Sequence, residues 1–189
     1  MSTPSQAIDP HLVHLLIDEL TDRQRTEVFH LQVQHCFGDV PGAEIEEDFF
    51  TEAVSRVLCY HQDELVGCAG TRVRDIAYDG RSVRLGGISG VCTHRGFRGQ
   101  GIATRVCQRA VQFLAEAKCN IVFLSTSPMA RKLYENLGFR PLPQGFTWEN
   151  IYGQIKHGNN GMLAPVCSPE IAQQIWNGAS AFHVGKGYW

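Results

Sequence analysis

Residues 90–119 read GVCTHRGFRGQGIATRVCQRAVQFLAEAKC. A strand ends near Thr93, Gly99 and Gly101 flank a tight turn, and Ile102, Val106, Ala110 and Phe113 recur at helical spacing. Glycines in such a turn let the backbone approach a ligand, and the first free N–H groups of the helix, at its positive dipole end, can hold a phosphate. A Walker A loop is excluded, because G-x-x-x-x-G-K-[ST] needs a Lys-Ser or Lys-Thr and none follows. A dinucleotide fingerprint is nearly matched by Gly99-x-Gly101. Thr104, however, stands where a glycine or alanine is required, and the next strand, NIVFLST at 120–126, carries no acid for a ribose.

Upstream, Asp79-Gly80 lies between RVRDIAY and RSVRLGGISGVCT and predicts a hairpin joining two long antiparallel strands. Strands are also predicted over Ser55–Tyr60 and from Leu65 onward, with Gln62–Glu64 as their turn, and over residues 11–17, HLVHLLI. Thr21 or Asp22 offers an N-cap for the helix TDRQRTEVFHLQVQHCF. The following GDVPGAEIEEDFF carries five acids, Asp39, Glu44, Glu46, Glu47 and Asp48, and reads as an acidic loop running into a short helix. Downstream, Ser127 caps and Pro128 opens PMARKLYENLGF, with Gly138 as its stop and Ala130, Leu133 and Leu137 as its buried face.

The chain has 189 residues, 43% apolar and 19% charged, the size and composition of one ordinary globular domain over 1–189. Seventeen Lys+Arg against nineteen Asp+Glu give a net charge of −2, which argues against nucleic acid as a partner. The apolar runs are too short for a spanning helix and MSTPSQ lacks the features of a signal peptide, so a cytoplasmic protein without a membrane partner is expected. Seven cysteines, with no C-x-x-C pair and mostly in apolar segments, read as reduced core residues rather than nucleophiles. No metal is expected from the eight histidines, which show no ligand spacing, and His30 and His35 should face apart.

Arg98-Gly99-Gln100-Gly101-Ile102-Ala103 resembles the [Q/R]-x-x-G-x-[G/A] pyrophosphate loop of the acetyl-CoA-dependent N-acyltransferases of the GNAT superfamily. The resemblance implies an α/β (α+β) fold with a mixed, mostly antiparallel sheet, a splayed central strand pair and flanking helices. It implies acetyl-CoA as co-substrate, held by Val91, Cys92 and Thr93 on the central strand and by Arg98–Thr104 at the diphosphate. It narrows to the aminoglycoside 2′-N-acetyltransferases through GISGVCTHRGFRGQGIATRV, LSTSPMARKLYENLGFRPLPQG and the terminal HVGKGYW, with 150–189 as an extension completing the substrate site. Tyr134, otherwise a half-buried aromatic on the sheet, then becomes the phenol hydrogen-bonded to the cofactor sulfur. Its pKa of ~10 lies near the ~8.5 of a thiol, so it can protonate a departing thiolate. Trp189 becomes an indole wall and an α-carboxylate near the substrate amines.

The departures are as informative. That family's strand places a glutamate, the proposed water-relayed base, where this chain has Ser89, which can hold a water but cannot serve as that base. Its aspartate-rich turn is replaced by His157-Gly158-Asn159-Asn160-Gly161, and an aspartate near its C-terminus by Lys186-Gly187. Less negative charge favours an aminosugar antibiotic with few ammonium groups, such as kasugamycin, acetylated to give resistance. Asp39, Asp48, Ser125, Asn159, Asn160 and Trp189 are the expected substrate contacts. Other amine acceptors (a peptide, polyamine or chitooligosaccharide) and a non-catalytic CoA- or aminosugar-binding module remain open, while a serine hydrolase lacks the G-x-S-x-G elbow. Segment 162–180, with Ile171, Ile175 and Trp176, serves either a homodimer interface or the core. If the Trp189 carboxylate works in the site, one residue appended after it is expected to lower kcat/KM for the acceptor.

Overall fold

The computed structural model describes residues 10–37, 47–48 and 51–189. The strands are β1 (His11–Leu16), β2 (Ser55–His61), β3 (Glu64–Tyr78), β4 (Arg81–Thr93), β5 (Ile121–Ser125), β6 (Arg140–Pro141), β7 (Phe146–Glu149), β8 (Ile155–Gly158), β9 (Gly161–Pro165) and β10 (Phe182–Lys186). The helices are α1 (Asp22–Gln32), α2 (Ile102–Glu116), α3 (Arg131–Asn136) and α4 (Pro169–Asn177). A seven-stranded sheet runs β1-β2-β3-β4-β5-β9-β6, and β10-β7-β8 form a second sheet. All neighbours in the large sheet are antiparallel except β4 and β5, the mixed sheet with flanking helices that the resemblance implied.

Local chemistry explains the expected elements. Thr21 caps α1 through a reciprocal box: its hydroxyl accepts from Gln24 N at 3.3 Å, and Gln24 Oε1 accepts from Thr21 N at 3.0 Å. Asp79 and Gly80 both take positive φ, 49° and 70°, which the tight turn between β3 and β4 requires. One apolar face of α2, Ile102, Val106, Ala110 and Leu114, packs on Val57, Ala69, Ile88 and Leu124 of the sheet. On the opposite face α1 packs through Val28 and Leu31 onto Leu58 and Cys68. The second sheet, α4 and Trp189 bury Phe123, Phe146, Phe182 and Ile175 there as well.

Several expectations need correction. Past Gln32 the chain winds into a π turn over Val33–Phe37, whose wider spacing brings His30 and His35 to line one concavity of about 550 Å³, together with His94 and Glu64. Helix α3 starts only at Arg131, after a turn in which Ala130 N donates to Ser127 O, and its buried residue is Tyr134; Leu133 and Leu137 are half-buried. Segment 162–180, which the sequence left between core and interface, contributes to this chain's core. Strand β9 sits between β5 and β6, Ile175 is buried, and Ile171 and Trp176 pack against that cluster.

The cysteines are not all reduced. Cys59, Cys68, Cys107 and Cys119 are free and buried and Cys167 is free and exposed, but Cys36 and Cys92 form a disulfide with Cα atoms 5.9 Å apart. The π turn carries Cys36 against the end of β4, an approach hidden by a sequence separation of 56 residues. The bridge closes a long loop, so Cys36→Ser is expected to cost about 2–4 kcal/mol of stability. Thermal unfolding with and without a thiol reductant checks this: reductant should lower the Tm of the native chain and leave that of Cys36→Ser unchanged.

Candidate active site

The parallel pair β4 and β5 is joined only at Leu85–Ile121, Gly86–Val122 and Gly87–Phe123. Beyond that point β4 is bulged. Gly70 of β3 faces Ser89 and Cys68 faces Cys92, so Gly90 and Val91 together oppose one residue, and Gly90 takes φ 57°. On the far side β5 stays bound to β9 through Ser125. A wedge therefore opens between Ser89–Thr93 and the end of β5. Val91 and Thr93 are half-buried beside it, and the Thr93 hydroxyl is buried without a hydrogen-bond partner among the described residues.

On the α2 side, the turn before the helix is shaped for an anion. Gly99 and Gly101 both have φ 77°, and nothing lies within 4 Å of where a side chain would stand. Gly101 caps α2 without a side-chain hydrogen bond, which leaves the first-turn amides of Ile102, Ala103 and Thr104 without a capping side chain. Ile102 adds no ligand contact through its side chain, which is 1% exposed and anchors the helix in the core. Gln100, Ala103 and Thr104 are half-buried, and Arg98 is exposed, its guanidinium donating to Thr93 O at 3.4 Å and His35 O at 2.6 Å. Cys92, expected only as a backbone contact, also ties this strand end to the π turn through its disulfide. The residues fit a diphosphate-bearing cofactor. Among the described residues no group of three His, Cys, Asp or Glu could hold a metal ion.

Tyr134 projects on the same side of the sheet, 6% exposed, its ring edge-on to Phe139 at 6.0 Å. Burial, with a smaller contribution from Cys107, pushes the phenol well above its usual pKa, so the hydroxyl keeps its proton at any physiological pH.

The other side of the wedge gathers the chain's end. The indole of Trp189 lies on Gly87, where any Cβ would overlap it, and packs edge-on to Phe123 at 5.9 Å with the Arg74 guanidinium 4.4 Å from its ring centre. Ser125 Oγ donates to Trp189 O at 3.5 Å and is hydrogen-bonded to the Tyr188 hydroxyl. Asn160 also bonds Tyr188, whereas Asn159 is exposed. Ser89 takes a hydrogen bond from Arg72, whose Nε donates to Thr51 O at 2.7 Å.

Asp39, Glu44 and Glu46 lie outside the described residues. Asp48 and Glu47 are struts: Asp48 Oδ1 accepts from Trp148 Nε1 at 3.1 Å and its carbonyl from Tyr188 N, and Glu47 Oε1 accepts from Tyr152 at 3.3 Å. The structure thus brings together Ser89, Ser125, Asn160 and Trp189 at the wedge and uses Asp48 to hold the segment that carries Trp189. Sequence reasoning missed Arg56, Arg72 and Tyr188. Alternating positions 72 and 74 on a predicted strand were the available signal for the arginines.

The sequence model of the acetyltransferase (GNAT) family matches residues 12–139. Among solved structures, the chain is similar to the GNAT family N-acetyltransferase YhbS from Escherichia coli, a structure in complex with CoA, with 12% identity and a TM-score of 0.63 over 98% of this chain and 93% of that one. It is similar to Escherichia coli ElaA at 18% identity and TM-score 0.55, over 82% and 99% of the two chains. For a GCN5-related N-acetyltransferase from Kribbella flavida the values are 19% and 0.56 over 72% of this chain, which spans only 34% of that one. At these identities the likeness shows the fold. With the bulged central strand, the splayed parallel pair and the uncapped glycine turn at α2, and with two thirds of its length matched by the family model, this chain belongs to the acetyltransferase (GNAT) family.

Proposed function

We propose that this protein transfers the acetyl group of acetyl-CoA directly to an amino group of an aminosugar antibiotic of low positive charge, in the manner of the aminoglycoside 2′-N-acetyltransferases and with a kasugamycin-like acceptor. The observation that carries the reading is the wedge itself. An anion-ready helix start and a buried phenol lie on one side of the sheet, and an aromatic wall of Tyr188 and Trp189 lies on the other. Two substrates entering from opposite sides meet between β4 and β5, which is the geometry a direct transfer needs.

Each residue then has a chemical task. The first-turn amides of α2 hold the diphosphate, with Gly99 and Gly101 letting it close on the backbone. Main-chain N–H groups near Val91 and Thr93 bind the pantetheine amides, and one of them polarises the thioester oxygen as negative charge builds there, a donor worth about 3–4 kcal/mol. The acceptor nitrogen attacks the carbonyl carbon, the carbon–sulfur bond breaks, and Tyr134 gives its proton to the departing thiolate, a transfer that burial of the phenol makes more uphill than the free values of the two groups imply. Reprotonation of the phenolate from water restores the site. Ser89 holds the acceptor or a relay water without taking the proton, since Arg72 donates to its hydroxyl. With Ser89 in place of a glutamate, amine deprotonation falls to the Trp189 α-carboxylate, to an acidic-loop residue or to solvent, and where solvent takes the proton kcat/KM is expected to rise with pH toward the acceptor amine's own pKa.

Incubation of the purified protein with acetyl-CoA and a panel of aminosugars, followed by release of free thiol, tests the reading. Turnover is expected with kasugamycin and little with tetra- or pentacationic aminoglycosides; the reverse order would sink the substrate assignment, and no thiol release with any amine would favour a binding module. Tyr134→Phe should lower kcat by about 10²-fold or more while leaving the KM for acetyl-CoA nearly unchanged. In the native enzyme kcat should show no loss from phenol ionisation below about pH 10, because burial raises the pKa and keeps the acid form to higher pH. A kcat unaffected by the substitution would remove Tyr134 from catalysis.

A further inference from the structure

Where the wedge meets β3 and β2, the large sheet carries guanidinium groups that pair with no carboxylate among the described residues. Arg56 on β2 pairs in register with Gly70, whose missing side chain lets the guanidinium lie over the strand, and Arg72 on β3 pairs with Gly87, which the Trp189 indole covers. Arg56 lies across the β4 bulge: the point where a Gly70 Cβ would stand is 3.0 Å from Arg56 Nη1 and 3.4 Å from the Ser89 carbonyl oxygen, and the same nitrogen is 3.3 Å from a Cβ placed on Gly90. Among the described residues Arg56 makes no hydrogen bond and no ion pair. Arg72 spends two donors on Thr51 O and Ser89 Oγ and likewise has no acidic partner. Every arginine or lysine that does form an ion pair among the described residues lies elsewhere, at Arg23, Arg84, Arg109, Arg131, Lys132 and Lys186.

Half-buried guanidinium groups side by side are costly, and proteins hold them where an anion completes the arrangement. Desolvation, followed by the neighbouring Arg56 and Arg74, pulls the Arg72 pKa down to about 10, and desolvation lowers that of Arg56 too. Both remain cations at neutral pH. The uncapped start of α2, which suits the diphosphate of the proposed co-substrate, lies on the other side of the sheet, so the arginines call for a different anion. The planar fork of each guanidinium matches a carboxylate.

We propose that the acceptor amine belongs to a molecule that also bears a carboxylate, and that Arg56 and Arg72 bind this carboxylate beside Ser89, fixing the substrate's orientation and selecting against uniformly cationic aminosugars. The inference rests on the acyl-transfer reading only for which substrate occupies this face; the anion site itself stands on the arginine geometry. It gives Ser89 a structural reason: a carboxylate side chain at that position would pair with Arg72 and occupy the site meant for the ligand.

The test uses the CoA-saturated protein and two ligands, kasugamycin and the amide of its carboxyl group, with binding read by calorimetry and turnover by thiol release. The native protein should bind the acid about ten-fold or more tightly than the amide, the range of a charge-assisted pair. Arg56→Gln, at a side chain without hydrogen bonds among the described residues, should shrink that ratio to below about three-fold with CoA affinity unchanged, and Arg56→Lys should keep part of it. Equal affinity of acid and amide for the native protein, a ratio untouched by both Arg56→Gln and Arg72→Gln, or no binding of the acid overturns the proposal. Preferential binding of the acid with no acetyl transfer to either ligand would instead overturn the acyl-transfer reading and leave the carboxylate site standing.

Discussion

The seating of Trp189 on Gly87 is the contact on which the site depends. Gly87 is the last residue of β4 paired with β5, and its missing side chain admits an indole where any other residue would collide with it. The ring fills the base of the wedge against Phe123 and Arg74, and burying an aromatic group of this size contributes substantially to the core. Its segment is tied down at several points: Arg74 donates to Val184 O at 2.9 Å, Gly187 N to Glu149 O at 2.8 Å, and Tyr188 N to Asp48 O. Chain end, second sheet and central strands therefore form one packed unit, and the strand divergence that opens the site is held from below.

Electrostatically the two sides of the sheet are organised by different means. On the α2 side, negative charge is met by backbone dipoles and uncapped amides, with the exposed Arg98 steered by carbonyl oxygens. On the Trp189 side, charge is carried by guanidinium groups on β2 and β3, while Glu47, Asp48 and Glu149 are bonded to Tyr152, Trp148 and Lys186. The near-neutral total of −2 conceals this. Arginines cluster between Arg72 and Arg109, but Arg72 and Arg74 stand on β3, Arg98 in the turn before α2 and Arg105 and Arg109 on α2 itself, and the charge sum carries no trace of that distribution.

The disulfide belongs to the same architecture. It joins the π turn that follows α1 to the end of β4, and His35, next to Cys36, holds Arg98 through its carbonyl while its ring lies 4.0 Å from that of His94. The turn that leads toward the acidic segment and the turn that precedes α2 are thereby fastened together. Cysteines scattered through apolar strands read as core residues because spacing alone gives no distance between Cys36 and Cys92. A π turn, which helix periodicity does not anticipate, supplies it.

Local patterns in the sequence determined much of the fold. The Asp79-Gly80 hairpin, the Thr21 capping box, the β5 strand and the Gly99–Gly101 turn into α2 follow from backbone preferences of a few adjacent residues, and such preferences act without knowledge of distant partners. The glycine turn also made the anion site legible, because helix-start chemistry is local. What only the tertiary structure decided are relations across the chain: β9 between β5 and β6, the separate sheet of β10, β7 and β8, Trp189 on Gly87, Cys36 against Cys92, and Arg56 and Arg72 beside the bulge. Each depends on strand register and on which face a residue presents. A one-residue bulge at Gly90 reverses that face for everything beyond it, so these juxtapositions appear only once the sheet has been assembled.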